Sequence, residues 1–275
     1  MNNLTKRIIT ATILLLVIIF VLLQESAQLT SCFIGLILTF CFYEFVKMLK
    51  LQNKKQSVLM FFAFVIAPII FAVTGRTFAF YSIFGFIYVL TVGFFFYEPN
   101  NEVLKAEFEG RELEAVQKKT FLYLLYFILI GLGGFSLTKI ACHNESAKVF
   151  FWLISVVSFN DIFAYAGGRL IGGAKFNKFI SPNKTISGSV CGMIGAIIVS
   201  YLMIHFLGIS NLRYGLLVPT IFTVWCAQIG DLIESFIKRI VGVKDSSNLL
   251  PGHGGVLDRV DAIFGAAPLT LICFF

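Results

Sequence analysis

The chain has 275 residues, of which 58% are hydrophobic and only 13% are charged, with a formal net charge of +7. Soluble domains carry about 25% charged residues, so this composition excludes an ordinary soluble protein and is typical of a membrane protein. An apolar stretch in lipid must satisfy its own backbone hydrogen bonds. The sequence therefore predicts an all-α, polytopic integral membrane protein.

About nine apolar stretches approach the ~20 residues that cross a bilayer and are predicted transmembrane helices. In chain order they are residues 8–23, 29–46, 57–74, 77–97, 120–138, 147–166, 187–208, 213–231 and 259–275. The first follows two basic residues, as a signal peptide would, but no small-residue cleavage site closes it, so we interpret it as a retained helix. The last is short for a full crossing.

Basic residues alternate sharply between the loops, and this pattern predicts the orientation. Eighteen Lys and Arg side chains lie on one side of the predicted helices, and four lie on the other: Arg76, Lys139, Lys148 and Arg213. Basic loops stay in the cytoplasm, so the N-terminus and every long loop are predicted to be cytoplasmic, in a bacterial-type inner or plasma membrane. Orientation and anionic lipid headgroups then explain the net charge, and no nucleic acid is expected as a partner.

Two other features carry no predicted chemistry. The six cysteines form no CxxC pair, and five of them lie in apolar stretches, so they are interpreted as small buried hydrophobic residues. Residues 98–119 hold six Glu and four basic residues and are predicted to be a solvated cytoplasmic connector. The candidate sites therefore lie elsewhere, in three polar clusters at the cytoplasmic ends of helices.

The first polar cluster surrounds Asp161, which stands toward the end of an apolar stretch. An ionisable residue is costly there and is by default a functional candidate. Tyr165 lies four residues further on and so shares its helix face, with Arg169 one turn beyond. The alternative is an ion pair between Asp161 and Arg169 or a lysine that only holds helices together, and the residues alone do not decide.

The second polar cluster is the segment SPNKTISGS at residues 181–189. Lys184 and Ser187 stand just ahead of the apolar run that opens at Val190. Backbone N–H groups at a helix N-terminus, together with hydroxyls and a lysine, form a site suited to phosphate. Ser and Thr also cap helices for purely structural reasons, and that alternative stays open.

The third polar cluster begins where an apolar helix is predicted to continue beyond Asp231. One face of that helix then carries a stripe of both signs: Asp231, Glu234, Ser235 and Lys238. Asp258 and Asp261 share a face at the start of the last helix, with Arg259 turned aside. If the two helices lie side by side, Asp231, Asp258 and Asp261 converge.

Carboxylates gathered at a membrane boundary repel one another, so positive charge must compensate them. One explanation is direct neutralisation by nearby basic side chains: Lys238, Arg239, Lys244 and Arg259. The other is Mg²⁺, which takes one or two carboxylates and completes its coordination with waters and substrate phosphates. The second explanation accounts for acidic and basic residues together. Glycines at 252, 254 and 255 allow close approach to a phosphate, although PGHGG is also an ordinary flexible turn.

The pattern S-F-I-K-R-x4-K-D-x-S-x2-L-P-G-H-G-G-V-x-D-R-V-D at residues 235–261 resembles the signature of the phosphatidate cytidylyltransferase family, also called CDP-diacylglycerol synthases. The segments GDLIES at 230–235, SPNKTISGS at 181–189 and N-D-x3-Y-x3-R at 160–169 are similar to further motifs of that family. The resemblance covers about residues 155–265. The N-terminal half agrees only in being a set of membrane helices.

The resemblance implies a nucleotidyltransferase that joins CTP and phosphatidic acid into CDP-diacylglycerol and releases pyrophosphate. It implies a requirement for Mg²⁺, with a second monovalent or divalent cation left open, and a homodimer whose polar cavity opens to cytosol and lipid. It divides the chain into N-terminal transmembrane helices, residues 1–140, and a C-terminal transmembrane catalytic region, residues 141–275, with its cytoplasmic signature at 231–261.

Carried over to this sequence, the resemblance makes Asp231 and Asp258 the metal-binding carboxylates, with Asp261 in support. Lys244 and Asp245 complete the predicted catalytic set. The predicted substrate-binding residues are Asp161, Lys184, Ser187, Lys238, Arg239, His253, Gly254, Gly255 and Arg259. His253 either assists protonation of pyrophosphate or only orders its turn.

Two other functions are compatible with parts of this pattern. A CTP-dependent polyprenol or phytol kinase has a similar membrane fold and nucleotide, but the full signature at 235–261 favours cytidylyl transfer. A secondary transporter that uses Asp161 and Asp231 as ion sites would place them near the bilayer midplane within repeated halves. Here the charges cluster at one face and no repeat is visible, so the transporter is disfavoured.

Overall fold

The computed structural model describes residues 3–48, 121–122, 124–177, 180–209 and 214–275. Seven α-helices lie in these ranges: α1 Asn3–Leu23, α2 Ala27–Met48, α3 Gly133–Ala141, α4 Ser146–Leu170, α5 Ile186–Leu207, α6 Leu217–Val241 and α7 Leu257–Phe274. A π-helical segment, Phe127–Leu132, leads directly into α3. The predicted helices at 57–74 and 77–97 and the connector at 98–119 lie outside the described residues.

Five helical segments of the described residues are long enough and apolar enough to cross a membrane. They are Ala27–Phe45, Leu124–Ala141, Ser146–Leu170, Ile186–Leu207 and Leu217–Val241. The predicted helical membrane fold is therefore confirmed in outline, while the number nine and the cytoplasmic N-terminus stay predictions. Helix α6 continues to Val241, ten residues beyond the predicted span, as the polar stripe on that helix required.

A short β-hairpin between α4 and α5 departs from the prediction of an all-α chain. Strands β1 (Lys175–Asn177) and β2 (Ser181–Thr185) pair antiparallel, with Lys175 opposite Thr185. Gly172 and Gly173 precede the hairpin with positive φ angles of 65° and 104°, which glycine adopts without strain. Strand β1 has only three residues, and β2 (SPNKT) shows no alternation of apolar and polar residues, so neither has the sequence pattern of a strand. The hairpin sets β2 directly before the N-terminus of α5.

Helices α6 and α7 lie side by side because glycines let their backbones touch. A Cβ atom on Gly230 would lie 2.7 Å from the Asp261 carbonyl oxygen and 3.0 Å from the Gly265 Cα. A Cβ on Gly265 would lie 2.5 Å from the Cys226 carbonyl oxygen. Small residues permit such close approach between membrane helices, and the contact places Asp261 directly against α6.

Helices α4 and α5 form a similar contact on the other side of the site. A Cβ atom on Gly188 would lie 2.6 Å from the Ala164 carbonyl oxygen, and one on Gly192 would lie 2.7 Å from Asn160 Oδ1. The polar end of α4 is thereby held against the start of α5.

A buried hydrogen-bond chain ties α4, α5 and α6 together deeper in the bundle. Trp152 Nε1 donates to Ser200 Oγ at 2.8 Å, and Ser200 Oγ lies 2.7 Å from Thr220 Oγ1. All three side chains are fully buried. Satisfied polar groups in a low-dielectric interior specify one arrangement of the elements that carry them, so this chain fixes the three helices that surround the site.

The contact between α6 and α7 generates a stability prediction. We expect Gly265→Val to force the two helices apart and to destabilise the protein by about 1–3 kcal/mol, the usual cost of overpacking. The measurement is the midpoint of thermal unfolding in detergent, with Ile272→Val as control, since Ile272 lies on the same helix and is 54% exposed. Equal midpoints for Gly265→Val and the control would contradict the close helix contact.

Candidate active site

A polar cavity of about 510 Å³ lies between α4, the β-hairpin, α5 and α6. Its polar lining comes from all of these elements: Asn160, Asp161, Tyr165, Arg169, Lys175, Asn183, Lys184, Thr185, Ser189, Gln228 and Asp231. Small-molecule sites typically occupy about 300–1,000 Å³. The cavity is therefore large enough for a substrate and presents hydrogen-bond donors and positive charge to it.

Three carboxylates gather where this cavity meets the interface of α6 and α7. One oxygen from each of Asp231, Glu234 and Asp261 lies within 4.8 Å of the other two. Asp231 lines the cavity and is partly exposed, whereas Glu234 is 1% and Asp261 6% exposed. Asp231 thus connects a buried acidic cluster to the space where a ligand would bind.

Two lysines compensate part of this negative charge directly. Lys184 forms an ion pair with Asp231, and Lys238 Nζ lies 2.6 Å from Glu234 Oε2 and 2.7 Å from Asp258 Oδ1. If every group is ionised, the four carboxylates exceed the two lysines by two negative charges. Buried like charges of this kind require a bound cation or proton uptake.

The donor set of the carboxylate cluster fits Mg²⁺. All of its candidate ligands are oxygen atoms, which this hard cation prefers. Glu234 Oε1 is buried and has no hydrogen-bond partner within the described ranges. A buried polar atom without a partner is costly, and coordination of an ion would satisfy it. Asp231, Glu234 and Asp261 are the residues that would hold the ion.

Asp258 is placed differently from Asp261 because it lies in the first turn of α7. Its Oδ2 accepts hydrogen bonds from Ser246 N at 3.0 Å and Gly255 N at 2.8 Å, and its Oδ1 pairs with Lys238. A carboxylate at a helix N-terminus is favoured by the backbone N–H groups there. The structure therefore groups Asp231 with Glu234 and Asp261, whereas the sequence paired Asp231 with Asp258, whose role as a metal ligand stays a prediction.

The start of α5 shows the capping interaction that the sequence left open. Thr185 Oγ1 accepts a hydrogen bond from Gly188 N at 3.0 Å, and Ser187 Oγ donates to the Gly172 carbonyl oxygen. Lys184 and Ser189, on either side of this cap, line the cavity. Capping and a ligand-facing helix N-terminus are thus present together.

A hydrogen-bond chain that sequence reasoning missed crosses the cavity wall. Gln228 Nε2 donates to Asn160 Oδ1 at 2.9 Å, and Gln228 Oε1 accepts from Ser189 Oγ. Asn160 Nδ2 donates in turn to Asp161 Oδ1 at 3.0 Å. Arg169 donates to the Tyr165 hydroxyl at 3.3 Å, so the suggested Asp161–Arg169 pair does not form in the described structure. The missed signal was polar side chains within apolar helices: Asn160 directly precedes Asp161, and Gln228 lies about one turn before Asp231.

The signature loop is held from the N-terminal part of the chain, which the sequence did not predict. Glu44 of α2 is fully buried and accepts four hydrogen bonds from the loop and the start of α7. On α1, Arg7 Nε donates to the Gly252 carbonyl oxygen at 2.8 Å. A carboxylate inside the apolar stretch 29–46 was the available signal for Glu44.

The remaining predicted site residues lie around the loop and do not line the described cavity. Arg259 donates from Nε and Nη2 to the His253 carbonyl oxygen at 3.1 and 2.8 Å, and so orders the turn. Arg239 Nε lies 3.4 Å from the Ile180 carbonyl oxygen. Of the predicted site residues, the cavity brings together Asp161, Lys184 and Asp231; it does not bring in Ser187, Lys238, Arg239, Lys244, Asp245, His253, Gly254, Gly255, Asp258, Arg259 or Asp261.

Comparison with known proteins shows the family to which the chain belongs. A family model described as the cytidylyltransferase family matches residues 5–275. The chain belongs to the cytidylyltransferase family. The resemblance seen in the signature at 235–261 is thereby confirmed, and the family match extends into the N-terminal helices where no motif was recognised.

Individual members of the cytidylyltransferase family match a shorter part of the chain. A phosphatidate cytidylyltransferase of Helicobacter pylori strain J99 is 40% identical over 156 residues, which cover 55% of this chain and 56% of that protein. One of Staphylococcus saprophyticus is 40% identical over 149 residues, 54% of this chain and 56% of that protein. One of Brucella abortus is 44% identical over 121 residues, 44% of each. The chain thus spans about half the length of these relatives.

The carboxylate cluster generates a binding prediction. At a Mg²⁺ concentration about 100-fold above the dissociation constant, binding stabilises the folded state by about 2.7 kcal/mol. We expect Mg²⁺ to raise the thermal unfolding midpoint of the wild-type chain in detergent, and Glu234→Gln to lose most of that rise.

The control for this prediction is Glu145→Gln, which removes an exposed carboxylate whose partner is Lys148 at 2.9 Å. A parallel measurement in potassium chloride at the same ionic strength separates Mg²⁺ binding from the general screening of charges by salt. If Mg²⁺ raises the thermal unfolding midpoint of Glu234→Gln as much as those of the wild type and the control, the cluster holds no ion.

Proposed function

We propose that this chain is a phosphatidate cytidylyltransferase, which transfers the cytidylyl group of CTP to phosphatidic acid. The observation that carries the proposal is a buried carboxylate cluster that opens through Asp231 into a polar cavity, in a chain of the cytidylyltransferase family. Matching relatives from three bacterial genera are named phosphatidate cytidylyltransferase. The proposed products are CDP-diacylglycerol and pyrophosphate.

The proposed reaction is one exchange of phosphoanhydride bonds. A phosphate oxygen of phosphatidic acid bonds to the α-phosphorus of CTP, and the bond from that phosphorus to the oxygen bridging to the β-phosphate breaks. Pyrophosphate leaves with the electron pair. The attacking oxygen is already anionic, so the step needs little help from a general base. Repulsion between two phosphate-bearing anions is the main barrier, since Coulomb energies at a few ångströms are large in a low-dielectric cavity.

Residues of the cavity supply the positive charge and donors that bring these anions together. Lys184 and Lys175 on the hairpin and Arg169 at the end of α4 line the cavity. In the proposed complex, Lys184 turns from Asp231 to a substrate phosphate, and the other two cations bind phosphates as well. Oriented donors that are fixed before the substrate binds lower the cost of charge reorganisation. Positioning and charge neutralisation are therefore the proposed contributions of the chain.

The buried wall of the cavity orients the ligand and limits the number of poses. The Gln228–Asn160 hydrogen bond spans α6 and α4, and Ser189 joins it from α5. These side chains are already paired with one another, so their positions are set without substrate. Mg²⁺ held by Asp231, Glu234 and Asp261 would neutralise phosphate oxygens and stabilise the departing pyrophosphate.

We also propose where the site lies relative to the membrane. CTP is soluble and phosphatidic acid is anchored in the bilayer, so a site at the cytosolic ends of helices serves both substrates. The apolar stretches of the sequence support nine transmembrane helices. The distribution of basic residues, eighteen against four, supports an N-terminus and a site that face the cytoplasm of a bacterial inner membrane. We include a homodimer in the proposal because the resemblance of the signature at 235–261 implies one.

A product assay tests the proposed function. Purified chain in lipid nanodiscs receives labelled CTP, phosphatidic acid and Mg²⁺, and pyrophosphate release and labelled lipid are followed. We expect CDP-diacylglycerol and pyrophosphate in equal amounts. We expect Asp231→Asn to lower turnover by roughly 100-fold or more, the scale of losing one preorganised electrostatic contact, while Glu145→Gln stays at the wild-type rate.

One result would contradict the proposed function, and another would contradict its assignment to the carboxylate cluster. Transfer of the terminal phosphate of CTP to a polyprenol, without CDP-lipid, would assign the chain to the lipid kinases. Full turnover in Asp231→Asn would remove the carboxylate cluster from the reaction. Circular dichroism of the variant confirms that a loss of turnover does not reflect loss of the helical fold.

A further inference from the structure

Glu44 makes contacts that are unusual for a carboxylate in an apolar helix. It lies on α2, is 0% exposed, and has no basic partner among the ion pairs of the described residues. Its oxygens accept hydrogen bonds from four donors: Ser246 Oγ at 2.9 Å, Ser247 Oγ at 2.6 Å, Val256 N at 2.8 Å and Leu257 N at 2.8 Å. A buried carboxylate is retained only when such donors compensate its lost hydration.

The four donors belong to two separated points of the signature loop. Val256 is the N-cap residue of α7 and Leu257 its first residue, so Glu44 binds backbone N–H groups that have no partner inside the helix. Ser246 and Ser247 lie about ten residues earlier in the chain. Glu44 therefore closes the segment 246–257 into a loop and fixes both of its ends to α2.

Asp258 also joins the two ends of the same loop. It accepts hydrogen bonds from Ser246 N and Gly255 N, while Glu44 accepts from the Ser246 hydroxyl. The two carboxylates thus hold Ser246 between them. A Cβ atom on Gly255 would lie 1.9 Å from Ser246 Oγ and 2.6 Å from Glu44 Oε2, so only glycine fits where the loop is closed.

The position of this loop sets the position of the proposed reaction centre. Helix α7 begins at Leu257 and carries Asp261 one turn later, beside Asp231 and Glu234. A displaced start of α7 would therefore move Asp261 relative to the two carboxylates of α6. Glu44 contacts neither the cavity nor the cluster in the described structure, so it acts through the residues it binds.

We propose that Glu44 is a positioning residue: from α2 it clamps the loop 246–257 and the start of α7, and thereby sets the geometry of the carboxylate cluster. The expected effect of Glu44 on turnover rests on the proposed function. Its expected effect on the loop rests on the hydrogen bonds alone. A carboxylate is required because both oxygens accept two bonds each. Glutamine has one acceptor oxygen and would turn an NH₂ group toward N–H or O–H donors.

The first test measures the loop without any substrate. Full-length wild type and Glu44→Gln in lipid nanodiscs are compared by hydrogen–deuterium exchange. We expect exchange across residues 246–257 to be faster in Glu44→Gln by about tenfold or more, because charge-assisted hydrogen bonds are lost, with α4 unchanged. The matched control is Ser31→Ala, which removes a buried hydroxyl of α2 that has no hydrogen-bond partner in the described residues.

The second test separates positioning from a general loss of folded protein. A smaller folded fraction lowers the maximal rate and leaves the half-saturating Mg²⁺ concentration unchanged. A displaced cluster raises that concentration, and we expect a rise of about tenfold in Glu44→Gln. Glu44→Asp keeps the charge on a shorter side chain, and we expect its half-saturating Mg²⁺ concentration to lie between those of the wild type and Glu44→Gln.

Three results would overturn the inference: wild-type exchange in the loop of Glu44→Gln, faster exchange spread equally over all helices, or an unchanged half-saturating Mg²⁺ concentration. If Glu44→Gln does not accumulate, Ser247→Ala replaces it, since it removes one of the four donors, and unchanged loop exchange there counts against the clamp. If the wild type transfers no cytidylyl group, the proposed function fails while the exchange experiment still decides whether Glu44 holds the loop.

Discussion

Repulsion among carboxylates buried between two helices is the constraint on which the rest of this structure depends. Asp231, Glu234 and Asp261 lie within 4.8 Å of one another, and two of them are almost fully buried. Charges in such a site are costly unless positive groups compensate them. Lys184 and Lys238 meet part of that need. The remaining negative charge is the reason we propose that the site binds a divalent cation and, through it, phosphates.

The helices around the cluster pack closely against one another and are fixed by hydrogen bonds. Glycines at the crossing of α6 and α7 leave no room for a methyl group, so Asp261 is pressed against α6. The Trp152–Ser200–Thr220 chain fixes the three helices that surround the cavity. Glu44 adds a restraint from α2 at the start of α7. Helices distant in sequence therefore all contribute to the position of a few oxygen atoms.

Residue spacing along the chain predicted much of the site. The rest depended on the rotation of α7 and on contacts between residues that are distant in sequence. The stripe that begins at Asp231 followed from helical periodicity, as did the shared face of Asp258 and Asp261. Which of those two joins Asp231 and Glu234 depends on how α7 turns at its first residue, where Asp258 is bound by loop N–H groups and by Lys238. Of the hairpin strands, β1 has three residues and β2 reads SPNKT, which shows no alternation of apolar and polar residues. Glu44 reaches a loop about 200 residues away, and no local pattern predicts that pairing.

Anomalous scattering shows whether Asp231, Glu234 and Asp261 together hold a divalent cation. Crystals of the wild-type chain are grown with Mn²⁺ in place of Mg²⁺, and the anomalous difference map is calculated at the manganese edge. The proposed cation site predicts a peak bonded to oxygens of these three side chains, with Lys184 released from Asp231. A map without a peak at the cluster, or with the ion bound by Asp258 and away from Glu234, would contradict it.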